Sequence, residues 1–116
     1  MRSYLNQFFK DFDYEEKDAQ HLLVTYDAIT ANKEATHLLQ EILSAYSANV
    51  SLDYTEKVLS KANKIADITT LHPFTVDVLV FICMTKHLKS MYLESGIDLQ
   101  IYRDTVLEYP FLQQTP

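Results

Sequence analysis

The sequence predicts an all-α fold, a single bundle of five to six helices around a central apolar helix at about residues 73–95. Three observations support this. Gly96 is the only glycine in 116 residues, so tight hairpins and strand bulges have almost no glycine to use. A long apolar stretch begins at Pro73 and is followed by Gly96. Proline at the start of a segment and glycine just past its end are typical of a helix. Hydrophobic residues make up 47% of the chain, enough for a packed core.

The first half of the chain predicts three helices. A short first helix is indicated by an apolar stripe at helical spacing, formed by Leu5, Phe8, Phe9 and Phe12. Asp13 and Glu16 have the spacing of a capping box, which predicts a second helix over about residues 14–31. Asn32 is the expected cap of a third helix at about 33–48. Because neither glycine nor proline separates them, these two helices could also form one long kinked rod.

A fourth helix is expected to begin at Ser51 or Asp53. The threonine-rich residues 67–72, which precede a proline, predict a loop. The expected inward face of the fourth helix consists of Val58, Leu59, Ala62, Ile65 and Ala66.

The fifth helix, at 73–95, has almost no polar face in its first half, where Phe74 is one of its apolar residues. A helix that is apolar all round is predicted to be surrounded by others. Gly96 is the expected helix stop, with Ile97 reaching back toward the preceding turn. Asp98 predicts the cap of a sixth helix at about 99–108, with an inward face formed by Leu99, Tyr102, Val106 and Tyr109.

We expect residues 1–116 to form a single helical domain, with an irregular tail at about 110–116 that suggests truncation from a longer protein.

The net charge of -6 disfavours nucleic acid and anionic membranes as partners. The longest nearly uninterrupted apolar run, 76–84, is too short to span a bilayer, and the N-terminus lacks the pattern of a secretory signal. The lack of a secretory signal and of a membrane span, together with the single cysteine, predicts a cytoplasmic protein. Its negative charge favours another protein as its partner.

Two acid-x-x-His patterns suggest a metal site, because paired motifs of this kind hold two metal ions in some helical bundles. They are formed by Asp18 with His21 and by Glu34 with His37. In an antiparallel hairpin that turns near Asn32, the two histidines would lie roughly 9 Å apart along the axis. We therefore expect surface residues here, and a metal-binding bundle is the weakest functional hypothesis.

Cys83 and His87 share a helix face, which would suit a nucleophile or half of a metal site. Because Cys83 lies in the most apolar part of the chain, a buried structural cysteine is expected instead. His72 is expected to serve the start of the fifth helix.

Two further sets of side chains suggest surfaces. Lys57, Lys61 and Lys64 form a basic stripe that is either a docking strip for an acidic partner or a solvated helix face. Tyrosine rings at helix-face positions predict core packing, although tyrosine is also enriched at interfaces. These tyrosines are Tyr4, Tyr26, Tyr46, Tyr54, Tyr92, Tyr102 and Tyr109.

Residues 72–108 carry a resemblance to a known family. The marks are His72-Pro73 before an apolar helix, a tyrosine shortly before Gly96-Ile97, and the run Tyr102-Arg103-Asp104-Thr105. This segment resembles the helical N-terminal domain of bacterial acyltransferase-domain-containing proteins, in which a coenzyme-A-dependent, N-acetyltransferase-like domain follows. The chain has no glycine for a pyrophosphate loop, so no catalytic residue is carried over.

Three functional hypotheses follow. The first is a non-enzymatic accessory domain that packs against an acyltransferase-like domain absent from this chain. The second is a free-standing protein-interaction module, as a monomer or as a homodimer through tyrosine-rich helix faces. The third is the metal-binding bundle. We favour the first hypothesis. It predicts that the chain has no catalytic, cofactor-binding or metal-binding residues and binds no cofactor.

Overall fold

The computed structural model describes residues 1–47 and 56–108, and six α-helices form this part of the chain. No strand occurs among these residues, so the all-α prediction is confirmed. The expected start of α4, the tail at 110–116 and the inward position of Tyr109 lie outside the described residues. The helices are α1 (Arg2–Asp11), α2 (Glu16–Thr30), α3 (Lys33–Ser47), α4 (Glu56–Thr69), α5 (Pro73–Glu94) and α6 (Leu99–Leu107).

α2 and α3 are separate helices, because the helix is broken at residues 31 and 32, so they do not form one continuous helix. α2 ends at Thr30, and the Oδ1 atom of Asn32 accepts a hydrogen bond from the backbone N–H of Ala35 at 3.0 Å. Asn32 is therefore the predicted cap of α3, because it satisfies a backbone donor that a helix leaves unpaired at its start.

The prediction that Asp13 caps α2 is wrong. Asp13 follows the end of α1 with a positive φ of 55°, and the backbone N–H of Tyr14 donates to the carbonyl of Phe9 at 2.9 Å. This is a Schellman helix stop, and its usual apolar contact is made by the rings of Phe9 and Tyr14, whose centroids are 5.3 Å apart. α2 begins at Glu16 without a side-chain cap. Aspartate suits both an N-cap and a left-handed helix stop, and here the aromatic pair favours the stop.

The same kind of stop ends α4 and α5, with positive φ values of 56° at Thr70 and 68° at Gly96. In each case the next residue donates its N–H to the carbonyl five residues back, at 3.1 Å and 2.9 Å. The prediction that Gly96 terminates the fifth helix is thus confirmed, although α5 ends at Glu94, one residue earlier than expected.

The predicted loop at 67–72 is shorter than expected, because α4 continues through Thr69. The hydroxyl of Thr69 donates to the carbonyl of Ile65 at 2.6 Å, which satisfies this polar side chain within the helix. His72 then caps α5, where its Nδ1 atom accepts from the backbone N–H of Phe74 at 3.2 Å. This confirms the expected role of His72 at the start of the helix.

α5 is the central helix of the bundle, as the sequence predicts. It packs against α1, α2, α3, α4 and α6, and every residue from Val78 to Thr85 is buried. Among the described residues, no helix has both the length and the apolar character needed to cross a membrane.

Three side chains that we expected to face inward are exposed: Leu59 (40%), Phe74 (39%) and Leu99 (42%). Each lies within the first four residues of its helix. An apolar stripe indicates the direction a residue faces, but at a helix end the neighbouring helices do not extend far enough to cover it.

Candidate functional site

Three of the four residues of the metal hypothesis contact partners outside that set. The Nε2 atom of His37 lies 2.8 Å from Glu41, the carboxylate of Glu34 lies 3.9 Å from Nζ of Lys64, and the ring of His21 lies 3.4 Å from the hydroxyl of Thr75. Asp18 shares a surface groove with His21. In residues 1–47 and 56–108, no group of three or more His, Cys, Asp or Glu side chains could hold a metal ion.

Cys83 is 2% exposed within the apolar half of α5. Burial raises the pKa of its thiol to about 12, which outweighs the opposing effects of the N-terminal amine and Lys86. Cys83 lines a small groove together with the half-buried His87. A thiol with this pKa is protonated at neutral pH, and it therefore lacks the thiolate that a nucleophile requires.

Two of the three stripe lysines join α4 to α3. Nζ of Lys61 lies 3.3 Å from the carboxylate of Glu41, and Nζ of Lys64 lies 3.9 Å from that of Glu34. Such pairs at the surface contribute little stability, since water screens them. Their consequence here is that part of the basic stripe is already neutralised within the bundle, which weakens the docking-strip hypothesis.

A chain of hydroxyl groups connects three helices in the interior. The Tyr4 hydroxyl lies 2.5 Å from Oγ1 of Thr85 and 2.9 Å from the hydroxyl of Tyr102, and Thr85 donates to the carbonyl of Ile82 at 2.5 Å. Because Thr85 uses its one hydrogen on Ile82, Tyr4 donates to Thr85 and Tyr102 donates to Tyr4. Burial raises the pKa of both tyrosines, so they remain protonated donors at neutral pH.

Aromatic rings surround this hydroxyl chain. Phe8 and Phe12 stack with their centroids 4.3 Å apart, and the ring of Tyr102 meets those of Phe12 and Tyr92 at 6.3 Å and 6.1 Å. The tyrosine rings whose burial the structure describes are half-buried or buried within the bundle. They are Tyr4, Tyr14, Tyr26, Tyr92 and Tyr102, while the side chains of Tyr46, Tyr54 and Tyr109 lie outside the described residues. These rings serve packing, so they give little support to a homodimer through tyrosine-rich faces.

Exposed apolar side chains concentrate where α5 meets α6. We call residues 93–108 the α5–α6 corner. Of the eight large hydrophobic side chains that are exposed among the described residues, five belong to this corner, and Leu93 (56%) and Ile101 (53%) are more than half exposed. α6 buries one face, through Tyr102 and Val106. The five are Leu93, Ile97, Leu99, Ile101 and Leu107.

The charges of the corner are mainly negative. Its one basic residue, Arg103, lies 3.4 Å from the carboxylate of Asp13 and 5.4 Å from the ring centroid of Phe12. Asp98 caps α6 by accepting from the backbone N–H of Gln100 at 2.8 Å, as predicted. The corner thus contains both exposed apolar side chains and an excess of carboxylates. Its four carboxylates are those of Glu94, Asp98, Asp104 and Glu108.

Sequence reasoning did not identify this corner as a surface. The spacing of Leu93, Ile97 and Ile101 gave no usable signal, since an interval of four residues marks one face only within an unbroken helix, and the stop at Gly96 separates α5 from α6. Only the arrangement of α6 on α5 establishes that these side chains face away from the core.

Comparisons of the chain with protein-family models, with curated proteins and with solved structures find no match. The proposed function therefore rests on the exposed apolar side chains of the corner. The resemblance of residues 72–108 adds the expectation of an acyltransferase-like partner domain.

Proposed function

We propose that this chain is a non-enzymatic helical accessory domain that packs against an acyltransferase-like domain through the α5–α6 corner. The exposure of Leu93, Ile97 and Ile101 on one corner is the observation that carries the proposal. Contiguous apolar surface is costly to leave in water and marks sites of protein association. The corner also lies within residues 72–108, the segment with the resemblance.

The rest of the described chain supports a role without catalysis. Gly96 is the only glycine and it ends α5, so it is not part of a pyrophosphate-binding loop at a helix N-terminus. The Cys83 thiol is protonated and buried. The single cysteine supports a cytoplasmic setting for the proposed complex, and the resemblance of residues 72–108 implies a bacterial one.

The proposal is tested with the acyltransferase-like domain encoded in the same reading frame or in an adjacent gene. We expect calorimetry to detect a complex with the purified chain, and Ile101→Ser to weaken it at least tenfold. Val24→Ser is the matched control, because Val24 is similarly exposed (62%) but lies on α2. The proposal fails if neither location encodes such a domain, or if the encoded domain does not bind.

Self-association through the same corner is the second candidate function, since a second copy could also cover its apolar side chains. Sedimentation measurements over a range of concentrations distinguish the two. We expect a monomer for the accessory domain. A dimer that Ile101→Ser disperses and Val24→Ser leaves intact would favour the interaction-module hypothesis.

A further inference from the structure

We infer that a groove between α5 and Met1 binds one soft monovalent metal ion, Cu(I), through sulfur and imidazole ligands. The inference is independent of the α5–α6 corner and of the proposed function. The groove has a volume of about 220 Å³ and is lined by side chains of α5, by Met1 and by Leu43 of α3. Its candidate ligands are the side chains of Met1, Cys83, Met84 and His87.

The groove brings together ligand types that are scarce in the chain. Two of the three methionines, the single cysteine and one of the four histidines line it. Thioether and thiolate sulfur select Cu(I), and imidazole also suits copper. The other described residues of the lining are Leu43, Lys86 and Ser90, so none of them supplies the carboxylate that a hard cation such as Mg²⁺ prefers.

Three of the ligands lie on neighbouring turns of α5. Cys83 precedes His87 by four residues and Met84 precedes it by three, and both spacings place side chains next to each other on a helix. At ~100° per residue, His87 projects between the two sulfur-bearing side chains. Cβ atoms at these spacings are ~5–6 Å apart, so one ion above His87 lies within reach of both sulfur atoms.

Met1 adds a ligand from outside α5. It precedes α1, is half-buried and packs against the hydrophobic core. Burial raises the pKa of the Cys83 thiol, and the charge of the N-terminal amine opposes this effect, which requires the first residue to lie close to the thiol. Methionine has three rotatable bonds, so the thioethers of Met1 and Met84 can adapt to the position of an ion.

Burial and charge favour a soft monovalent ion over a divalent one. Cys83 is 2% exposed and Met84 is fully buried, whereas Lys86 and Ser90 at the other side of the groove are exposed. The ammonium of Lys86 repels a divalent ion twice as strongly as a monovalent one, because Coulomb energy is proportional to charge. Thioether sulfur binds without losing a proton, and a coordinated Cys83 releases its proton to the solvent.

The first test is competition for Cu(I) between the full chain and a chromogenic Cu(I) chelator, under anaerobic reducing conditions. We expect the chain to remove one Cu(I) ion per monomer from the chelator, and a large excess of Mg²⁺ to leave this unchanged. If the chain removes no Cu(I), the inference is wrong.

Variants distinguish the groove from an isolated thiol. We expect Met84→Leu and His87→Gln each to weaken Cu(I) binding at least tenfold. The matched controls are Met91→Leu, at a half-buried position of α5 outside the groove lining, and His21→Gln on α2, and each should change affinity less than twofold. Circular dichroism verifies that each variant remains folded. Binding that depends on Cys83→Ser alone would overturn the inference.

Nuclear magnetic resonance tests the ligands without altering them. In the chain labelled with ¹³C at the methionine methyl groups, we expect Cu(I) to shift the resonances of Met1 and Met84 and to leave that of Met91 in place. The variants Met84→Leu and Met91→Leu assign the three signals. Equal shifts of all three, or a shift of none, would contradict coordination in the groove.

Discussion

The hydroxyl of Tyr4 joins α1 to α5 and α6, so its removal provides a direct test of the interior hydroxyl chain. Tyr4→Phe keeps the ring but leaves the Tyr102 donor without its acceptor and removes a donor to Thr85. We expect the free energy of unfolding to fall by about 2 kcal/mol, since a buried unsatisfied group costs more than an average hydrogen bond contributes. Urea denaturation measures this change.

Tyr26→Phe is the matched control for this substitution, because Tyr26 is also half-buried but lies outside the hydroxyl chain. We expect it to alter stability by less than about 0.5 kcal/mol. Equal losses in the two variants would show that the hydroxyl chain has no special contribution.

Burial of Cys83 predicts how stability depends on pH. Its pKa rises from 9.0 to about 12 on folding, so the unfolded chain loses this proton at lower pH than the folded chain. The stabilisation is fully present below about pH 9 and is lost as pH rises through the folded value. We expect the free energy of unfolding to decline from pH 9 upward by at most about 1.4 kcal/mol per pH unit for this group.

Urea denaturation at a series of pH values from 8 to 11 tests this expectation, with Cys83→Ala as the comparison. The variant lacks the thiol and should show a shallower decline above pH 9, whatever its stability at pH 7. Parallel declines in the two proteins would contradict a raised pKa at Cys83.

The helix stops of α4 and α5 provide a matched pair of predictions at the scale of elements. Both place a residue at positive φ, but α5 uses Gly96 and α4 uses the β-branched Thr70. We expect Gly96→Ala to destabilise the protein by about 1 kcal/mol, since no neighbouring atom adds a clash. Thr70→Gly should stabilise it by roughly 0.5–1 kcal/mol, because relief of the backbone exceeds the entropy that glycine adds to the unfolded chain.

Chemical denaturation of both variants provides the test, and Thr75→Gly is the control for a glycine placed within a helix, where destabilisation is expected. If Thr70→Gly also destabilised the protein, the left-handed backbone at Thr70 would not be a source of strain.

Sequence periodicity predicted the helices well because it reports which face of each helix avoids water. The caps Asn32, His72 and Asp98 were also predictable, since capping depends on local backbone donors. Asp13 was not, because aspartate suits both ends of a helix and a contact between two aromatic rings decides between them. Local sequence does not report such contacts.

The candidate site was less predictable than the helices because it depends on how elements meet. Tyr4 and Tyr102 are 98 positions apart, so their hydrogen bond follows from the arrangement of α1 against α6. Leu99 lies on the inward stripe of α6 and is nevertheless exposed, because it borders an open cavity between α6 and the end of α1. The acidic residues of the corner were visible in the sequence, but the exposure of its apolar side chains was not.

At the scale of the whole molecule, α5 contacts every other helix and has almost no polar face in its first half. The four helices before it leave the ribosome first, and although α3 and α4 contact each other directly, none of the four can pack against α5 until residues 73–94 emerge. Nascent chains that stop short of this segment therefore lack the partner around which the domain condenses. We therefore expect the domain to complete its folding only after α5 has been synthesised.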